Sequence, residues 1–142
     1  MSLVHSLSHL AARPLIRWTV LILYTAIVFY LCFLPSSEVK SNDFLDMIYF
    51  DKWVHVMMYF GLWTLMVWTP KGKGALQTSR TQSFISAAVV SLGIGILIEF
   101  IQGSPWVGRG KDIYDVMADL AGIILAYFAW KRWENHWGVY HW

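Results

Sequence analysis

Six acidic or histidine residues lie inside or directly beside hydrophobic stretches of the sequence: Asp51, His55, Glu99, Asp112, Asp115 and Asp119. Ionisable groups in apolar segments are costly, and they indicate a functional site. Several carboxylates in a medium of low dielectric do not all stay ionised unless cations join them. Glu99 or Asp115 together with His55 could transfer protons as a general acid and base, so these three are the catalytic candidates.

The remaining polar residues of the same segments are candidates for ligand binding: Asp51, Lys52, Gln102, Arg109, Lys111, Asp112 and Asp119. Three arrangements suit these residue types, namely an internal ion-pair network, a divalent-metal site, or a headgroup pocket contacted by Arg109 and Lys111. Asp, Glu and His are suitable metal ligands, but no tight ligand spacing such as HExxH is present. The metal and any other cofactor therefore stay open. No nucleophile motif surrounds Ser91 or Ser104. The sequence therefore does not decide whether the protein is an enzyme.

The composition predicts that these residues are held in a membrane. The chain has 142 residues, of which 57% are hydrophobic and only 14% are charged, with a mean hydropathy of +0.48. Such a chain is too apolar for an ordinary soluble domain, and its nine tryptophans suit a membrane–water interface. The net charge of +2 shows no footprint for binding nucleic acid. The single cysteine, Cys32, excludes an internal disulfide.

Four apolar segments are long enough to cross a bilayer, at about residues 16–34, 51–68, 84–101 and 113–130. The sequence therefore predicts one all-α domain over residues 1–142, a polytopic membrane protein built as a four-transmembrane-helix bundle. Four spans place alternate loops on opposite sides. One side collects Arg13, Arg17, Lys71, Lys73, Arg80, Lys131 and Arg132, and the other has Lys40, Lys52, Arg109 and Lys111. The positive-inside rule then predicts that both termini are cytoplasmic and that the acidic cluster is extracytoplasmic.

Helical spacing predicts which faces turn inward. In the last segment the three aspartates share a face with small residues: Asp112, Asp115, Asp119, Ala118, Gly122 and Ala126. In the third segment Ala87, Ser91, Gly95 and Glu99 recur every four residues, so Glu99 should face the bundle. We expect these two small-residue stripes to pack against each other, although they could equally serve a homo-oligomer. In the second segment, one face carries Asp51, His55, Met58 and Leu62.

Three runs of sequence contain these residues: DKWVHVMMYFGLWTLM (51–66), IGILIEFIQ (94–102) and GRGKDIYDVMADLAG (108–122). Their motifs D-K-x-x-H, E-x-x-Q, G-R and D-x-x-A-[N/D]-x-x-G appear in the order and spacing that resemble the VanZ-like membrane protein family. The resemblance implies a small protein of the bacterial cytoplasmic membrane with four or five helices. The founding member is associated with reduced susceptibility to the glycopeptide teicoplanin. Asp119 departs from the pattern, because many members have Asn at this position.

Three functions are consistent with the sequence. The first is a site that binds or acts on a cell-envelope amphiphile, either a phospholipid or a lipid-linked cell-wall precursor, with an effect on glycopeptide susceptibility as a further expectation. The second is a non-catalytic membrane adaptor whose polar cluster only locks the helices together; Asp112 and Asp115 would then cap a helix, and Lys52 and Lys111 would be interfacial anchors. The third is ion or proton movement, which the lack of polar residues deep in the inner half disfavours.

Overall fold

The computed structural model describes residues 14–33, 49–69, 79–105 and 112–137. These ranges form four α-helices and contain no strand: α1 (Pro14–Cys32), α2 (Phe50–Trp68), α3 (Arg80–Gln102) and α4 (Ile113–Trp137). The predicted all-α fold is therefore confirmed for this part of the chain. Three of the four helices, α1, α3 and Ile113–His136 of α4, are long and apolar enough to cross a membrane. The remaining helix, α2, carries Asp51, Lys52 and His55 in its first two turns.

Helix α3 begins at Arg80, four residues before the apolar run that the sequence indicates. The reason is a capping box, in which the Ser79 side chain accepts a hydrogen bond from the Gln82 backbone N–H at 3.3 Å. The Gln82 side chain accepts in return from the Ser79 backbone N–H at 2.9 Å. Both contacts satisfy N–H groups that the first turn of a helix leaves unpaired.

Helix α4 continues to Trp137, beyond the end at about residue 130 that the apolar segment predicts. The extra turns are held by Glu134, which is buried. This carboxylate accepts a hydrogen bond from the indole Nε1 of Trp130 at 2.7 Å and forms an ion pair with Arg80 of α3. A pairing between two helices is not visible in the local hydropathy, which marks only the apolar part of α4.

Helix α2 lies at the centre, because it packs against each of the other three helices, most extensively against α4. Its Tyr59, Leu62 and Trp63 are at most 1% exposed, and the Trp63 indole donates to the backbone oxygen of Phe84 at 3.3 Å. Helix α1 also packs against α2, where the Tyr24 hydroxyl donates to the Met58 backbone oxygen at 3.1 Å. The centre of the bundle is therefore built on the helix that also supplies Lys52 and His55.

The outward faces of the helices are apolar. Large hydrophobic side chains that are more than half exposed occur on α1, α3 and α4, and include Ile22, Val89 and Phe128. A helix in water would turn polar residues outward instead. This distribution is the one expected of helices whose surroundings are lipid.

The small-residue stripes are buried, but they do not simply pack on each other. Ala87, Ser91, Gly95 and Glu99 are all buried, which confirms that this face of α3 turns inward. Gly122 of α4 instead lies against the backbone of α2, facing the Val56 carbonyl oxygen and the Phe60 backbone nitrogen. The expected pairing of the two stripes is confirmed at Gly95, which lies against Asp119 of α4, and is wrong at Gly122, because α2 is the main neighbour of α4.

Candidate functional site

The acidic cluster lies at one end of the bundle, where α2 begins, α3 ends and α4 begins. Of the predicted site residues, the structure brings together seven in contacting pairs: Asp51, Lys52, His55, Glu99, Asp112, Asp115 and Asp119. Each helix contributes through its own geometry. The residues of α2 and α4 lie in their first two turns, whereas Glu99 lies one turn from the end of α3. Two predicted ligand-binding residues, Arg109 and Lys111, lie outside the described residues.

Lys52 joins the first turns of α2 and α4. Its ammonium group lies 2.9 Å from Asp51 Oδ2 and 2.5 Å from Asp112 Oδ2, and it also forms an ion pair with Asp115 Oδ1. Only 20% of the Lys52 side chain is exposed. Of the three arrangements that suit the residue types, the internal ion-pair network is therefore the one that Lys52 adopts. A headgroup would have to compete with three carboxylates for this lysine.

Asp112 lies just before α4 and combines two stabilising contacts. Its Oδ1 accepts a hydrogen bond from the Tyr114 backbone N–H at 2.9 Å, which caps the helix, while Oδ2 pairs with Lys52. The hydrogen bond from Lys52 lowers the pKa of the Asp112 carboxyl below its ordinary value of 3.8. The ionised form is therefore favoured by folding.

We expect the protein to lose part of its stability in acid through Asp112. A lowered pKa stabilises the fold above the ordinary value of 3.8, and this contribution disappears as the pH falls through the pKa of the folded state. In Lys52→Met the three carboxylates repel each other, so acidification should stabilise the variant instead. Thermal unfolding in detergent between about pH 5 and pH 2 measures the sign of both slopes. Asp51→Asn, at an exposed partner, serves as the control with a wild-type slope. Parallel slopes for wild type and Lys52→Met would contradict the network.

His55 and Asp119 form a buried pair between α2 and α4. The imidazole Nδ1 lies 2.8 Å from Asp119 Oδ1, and Asp119 is 1% exposed. When Asp119 is ionised it only accepts hydrogen bonds, and the pair then has the proton on Nδ1 and fixes the ring. The second nitrogen, Nε2, then faces Asp115 Oδ2 at 3.7 Å. This arrangement orients Nε2 of His55 toward Asp115, another of the catalytic candidates.

Glu99 has one satisfied oxygen and one unsatisfied oxygen. Oε2 accepts a hydrogen bond from the Asp112 backbone N–H at 2.9 Å, which ties the end of α3 to the start of α4. Oε1 is buried and has no hydrogen-bond partner among the described residues. Its electrostatic neighbours are Asp115 and His55, and no cation of the described ranges forms an ion pair with it. Glu99 is thus a buried carboxylate with an unused acceptor.

Tyr59 belongs to the same cluster and is absent from the sequence-based candidates. It is fully buried, its ring stacks on His55 with centroids 6.5 Å apart, and its hydroxyl has no hydrogen-bond partner among the described residues. It also borders Gly95, where a Cβ atom would lie 3.1 Å from the hydroxyl oxygen and against Asp119. The available sequence signal was its position four residues after His55, because residues at this spacing share a helical face.

Gln102 ties two helix ends together. Its amide Nε2 donates to the backbone oxygen of Cys32 at 2.6 Å, and the side chain is buried. This bond connects the end of α3 with the end of α1. The structure therefore gives the predicted ligand-binding Gln102 a role within the fold.

Metal binding finds no support in the described part of the chain. No group of three or more His, Cys, Asp or Glu side chains there could hold a metal ion. The ammonium group of Lys52 already supplies to Asp112 and Asp115 the positive charge that a divalent ion would provide.

The fold and the site together define a class of protein: a helical protein with three helices apolar enough to cross a membrane and a buried carboxylate–histidine cluster at one end. Comparison with known proteins adds no closer assignment, since no family model, no curated protein and no solved structure matches the chain.

Proposed function

We propose that this chain is a VanZ-like protein of the bacterial cytoplasmic membrane, with four spans, whose acidic cluster binds the headgroup of a cell-envelope amphiphile. The amphiphile is a phospholipid or a lipid-linked cell-wall precursor, and an altered susceptibility to glycopeptides would be a consequence. Support comes from the positions of the motif residues. Asp51 to His55, Glu99, and Asp115 to Asp119 come from three separate runs of sequence and meet at one end of the bundle.

The observation that carries the proposal is the free acceptor of Glu99. A polar cluster that serves only to lock helices is expected to satisfy every buried polar group, because each unpaired group costs about 1–3 kcal/mol. Here Glu99 Oε1 and the Tyr59 hydroxyl are both buried without a hydrogen-bond partner in the described ranges. Two unused groups in one cluster favour a site that is completed by a ligand.

The orientation of the site follows from the distribution of lysine and arginine. Among the described basic residues, Arg17, Arg80, Lys131 and Arg132 lie at the other helix ends, which under the positive-inside rule supports a cytoplasmic location for those ends and for both termini. The cluster then faces the extracytoplasmic side, where cell-wall precursors are used. A headgroup at that surface would reach Glu99 one helical turn from the end of α3.

If the site is catalytic, its chemistry is proton transfer. His55 Nε2 would accept a proton from a ligand hydroxyl or amine, while Asp119 stabilises the resulting imidazolium through Nδ1. Glu99 or Asp115 in its protonated form would donate a proton to a second atom of the ligand, and the proton taken up by His55 would afterwards restore that acid. These roles need no nucleophile of the protein and no metal.

Native mass spectrometry of the purified protein with a total bacterial lipid extract tests the proposal. We expect a lipid adduct on the wild type that Glu99→Gln loses at least tenfold, roughly the value of one charge-assisted hydrogen bond. The glutamine carbonyl can still accept from the Asp112 backbone N–H, so the fold should persist, as circular dichroism would verify.

The matched control is Glu134→Gln, which changes an equally buried carboxylate at the other end of the bundle. Its lipid adduct should equal that of the wild type. Equal adducts on all three proteins would refute a site at Glu99.

A second candidate function, a non-catalytic membrane adaptor, is favoured by the contacts of Lys52 and Gln102. Both side chains are engaged within the fold, the first with three carboxylates and the second with Cys32. In that case substitutions at His55 and Glu99 would lower the thermal stability and leave lipid adducts unchanged. The same set of variants therefore separates the two functions.

A further inference from the structure

The described part of the cluster carries an excess of negative charge. Five carboxylates, Asp51, Glu99, Asp112, Asp115 and Asp119, face two groups that can be cationic, Lys52 and His55. Even with His55 protonated, the acids outnumber the cations. The described residues of the cluster, taken by themselves, therefore repel an anionic headgroup and attract a cationic one.

Among the described acids of the cluster, Glu99 is the one without a cationic partner. Lys52 serves Asp51, Asp112 and Asp115, and His55 serves Asp119 with its Nδ1. Glu99 is the carboxylate of the cluster that no described cation pairs with. The backbone N–H of Asp112 donates a hydrogen bond to its Oε2. Its Oε1 is buried and has no hydrogen-bond donor among the described residues, and its side-chain neighbour is the Asp115 carboxyl, which can form a hydrogen bond with Glu99 only when one of the two acids holds a proton.

The Tyr59 hydroxyl provides a second, independent observation, because it is not an acid. This hydroxyl is fully buried and unpartnered within the described ranges, and it lies on the inner side of the His55 and Asp119 pair. A small group with several N–H donors can satisfy a carboxylate oxygen on the outer side.

From these contacts we infer that the group recognised at Glu99 is an ammonium, carried by the headgroup of a zwitterionic membrane lipid such as phosphatidylethanolamine. This inference rests on the proposed function and names its ligand class. An ammonium group supplies three N–H donors and one positive charge, which match the free Glu99 acceptor and the uncompensated carboxylate. The phosphate of the same headgroup would stay at the membrane surface, beyond Asp51 and Asp112, which are the more exposed members of the cluster.

The test is a competition among lipids with identical acyl chains on the full-length wild-type protein, followed by native mass spectrometry. The lipids are phosphatidylethanolamine, phosphatidylcholine, phosphatidylglycerol and N-acetyl-phosphatidylethanolamine. We expect the first to occupy the protein about tenfold better than any other, because only it offers a cation with N–H donors. This comparison needs no variant and so does not depend on a variant folding.

Variants then assign the preference to Glu99. Glu99→Gln should reduce the preference for phosphatidylethanolamine to within about twofold of phosphatidylglycerol, whereas Glu134→Gln should retain it. Soluble phosphoethanolamine distinguishes the source of the ammonium: weak competition supports a lipid, while full displacement at similar concentration would overturn the lipid assignment.

The outcomes separate this inference from the proposed function. A preference for phosphatidylglycerol or for a lipid-linked diphosphate that Glu99→Gln abolishes would overturn the ammonium and keep the headgroup site. Displacement of lipid by Mg²⁺ or Ca²⁺ at the same residue would likewise overturn it. Equal occupancy by all four lipids on the wild type would overturn the ammonium assignment, and unchanged occupancy on Glu99→Gln as well would overturn the proposed site at Glu99.

Discussion

Gly122→Ala is expected to destabilise the protein by about 2–3 kcal/mol, the upper part of the range for overpacking a closely packed interior. A methyl group at this position would meet the Val56 carbonyl oxygen and crowd the Phe60 backbone nitrogen of α2. Backbone atoms within a helix cannot rotate away as a side chain can, so α2 and α4 would have to separate. Thermal unfolding followed by circular dichroism in detergent measures the loss.

The matched control is Gly93→Ala on α3, an exposed glycine with no atom within 4 Å of the added methyl group. Since alanine favours helix over glycine by up to about 1 kcal/mol, this variant should be neutral or slightly more stable. If both alanine variants melted alike, the close approach of α2 and α4 at Gly122 would be wrong. Separation of these helices should also lengthen the His55–Asp119 contact, because Asp119 lies one turn before Gly122 on the same face.

The inward faces of the helices could be predicted from the sequence because they depend only on local periodicity. The four-residue spacing of Ala87, Ser91, Gly95 and Glu99 places them on one stripe, and all four are buried. The meeting of Lys52, Glu99 and Asp115 at one end also follows, since antiparallel neighbours bring the start of one helix to the end of the next.

The identity of each neighbour could not be predicted in this way. A stripe of small residues shows that a helix packs closely on its inner face, but any neighbour can fill that role. Gly122 therefore faces α2, although its stripe resembles that of α3. The ion pair between Glu134 of α4 and Arg80 of α3 could not be predicted for the same reason. It joins two helices, and neither residue lies in an apolar run.

Tyr59 shows a different limit. Within an apolar helix, a tyrosine is more often an interfacial or packing residue than part of a polar site, and its neighbours Met58 and Phe60 give no contrast. Its position becomes meaningful only when His55, Gly95 and Asp119 are seen around it. Lys52 shows the same limit. Its sequence position also suits an interfacial anchor, and only the structure shows that three carboxylates from two helices hold it in an ion-pair network.

Asp119→Leu is expected to cost about 3–5 kcal/mol, the range for removing one partner of a buried ion pair. Asp119 is 1% exposed and holds His55 Nδ1 at 2.8 Å, so leucine would leave a largely buried imidazole without its acceptor. Asp119→Asn should cost much less, because the amide oxygen can accept the same hydrogen bond. Thermal unfolding of the three proteins in one detergent measures this order, and similar losses for leucine and asparagine would contradict a hydrogen-bonded pair.

A double-mutant cycle with His55→Leu separates the pair from the cost of burying new groups. If the pair acts as a unit, the double variant should be more stable than the sum of the single losses predicts by about 1–3 kcal/mol. Gly93, which is exposed on α3 and has no atom within 4 Å of an added Cβ, supplies an uncoupled third position. Gly93→Ala combined with Asp119→Leu should be additive to within about 0.5 kcal/mol. An additive His55 and Asp119 cycle would mean that Asp119 does not orient the imidazole, and the assignment of His55 as the acid–base group would then lose its structural basis.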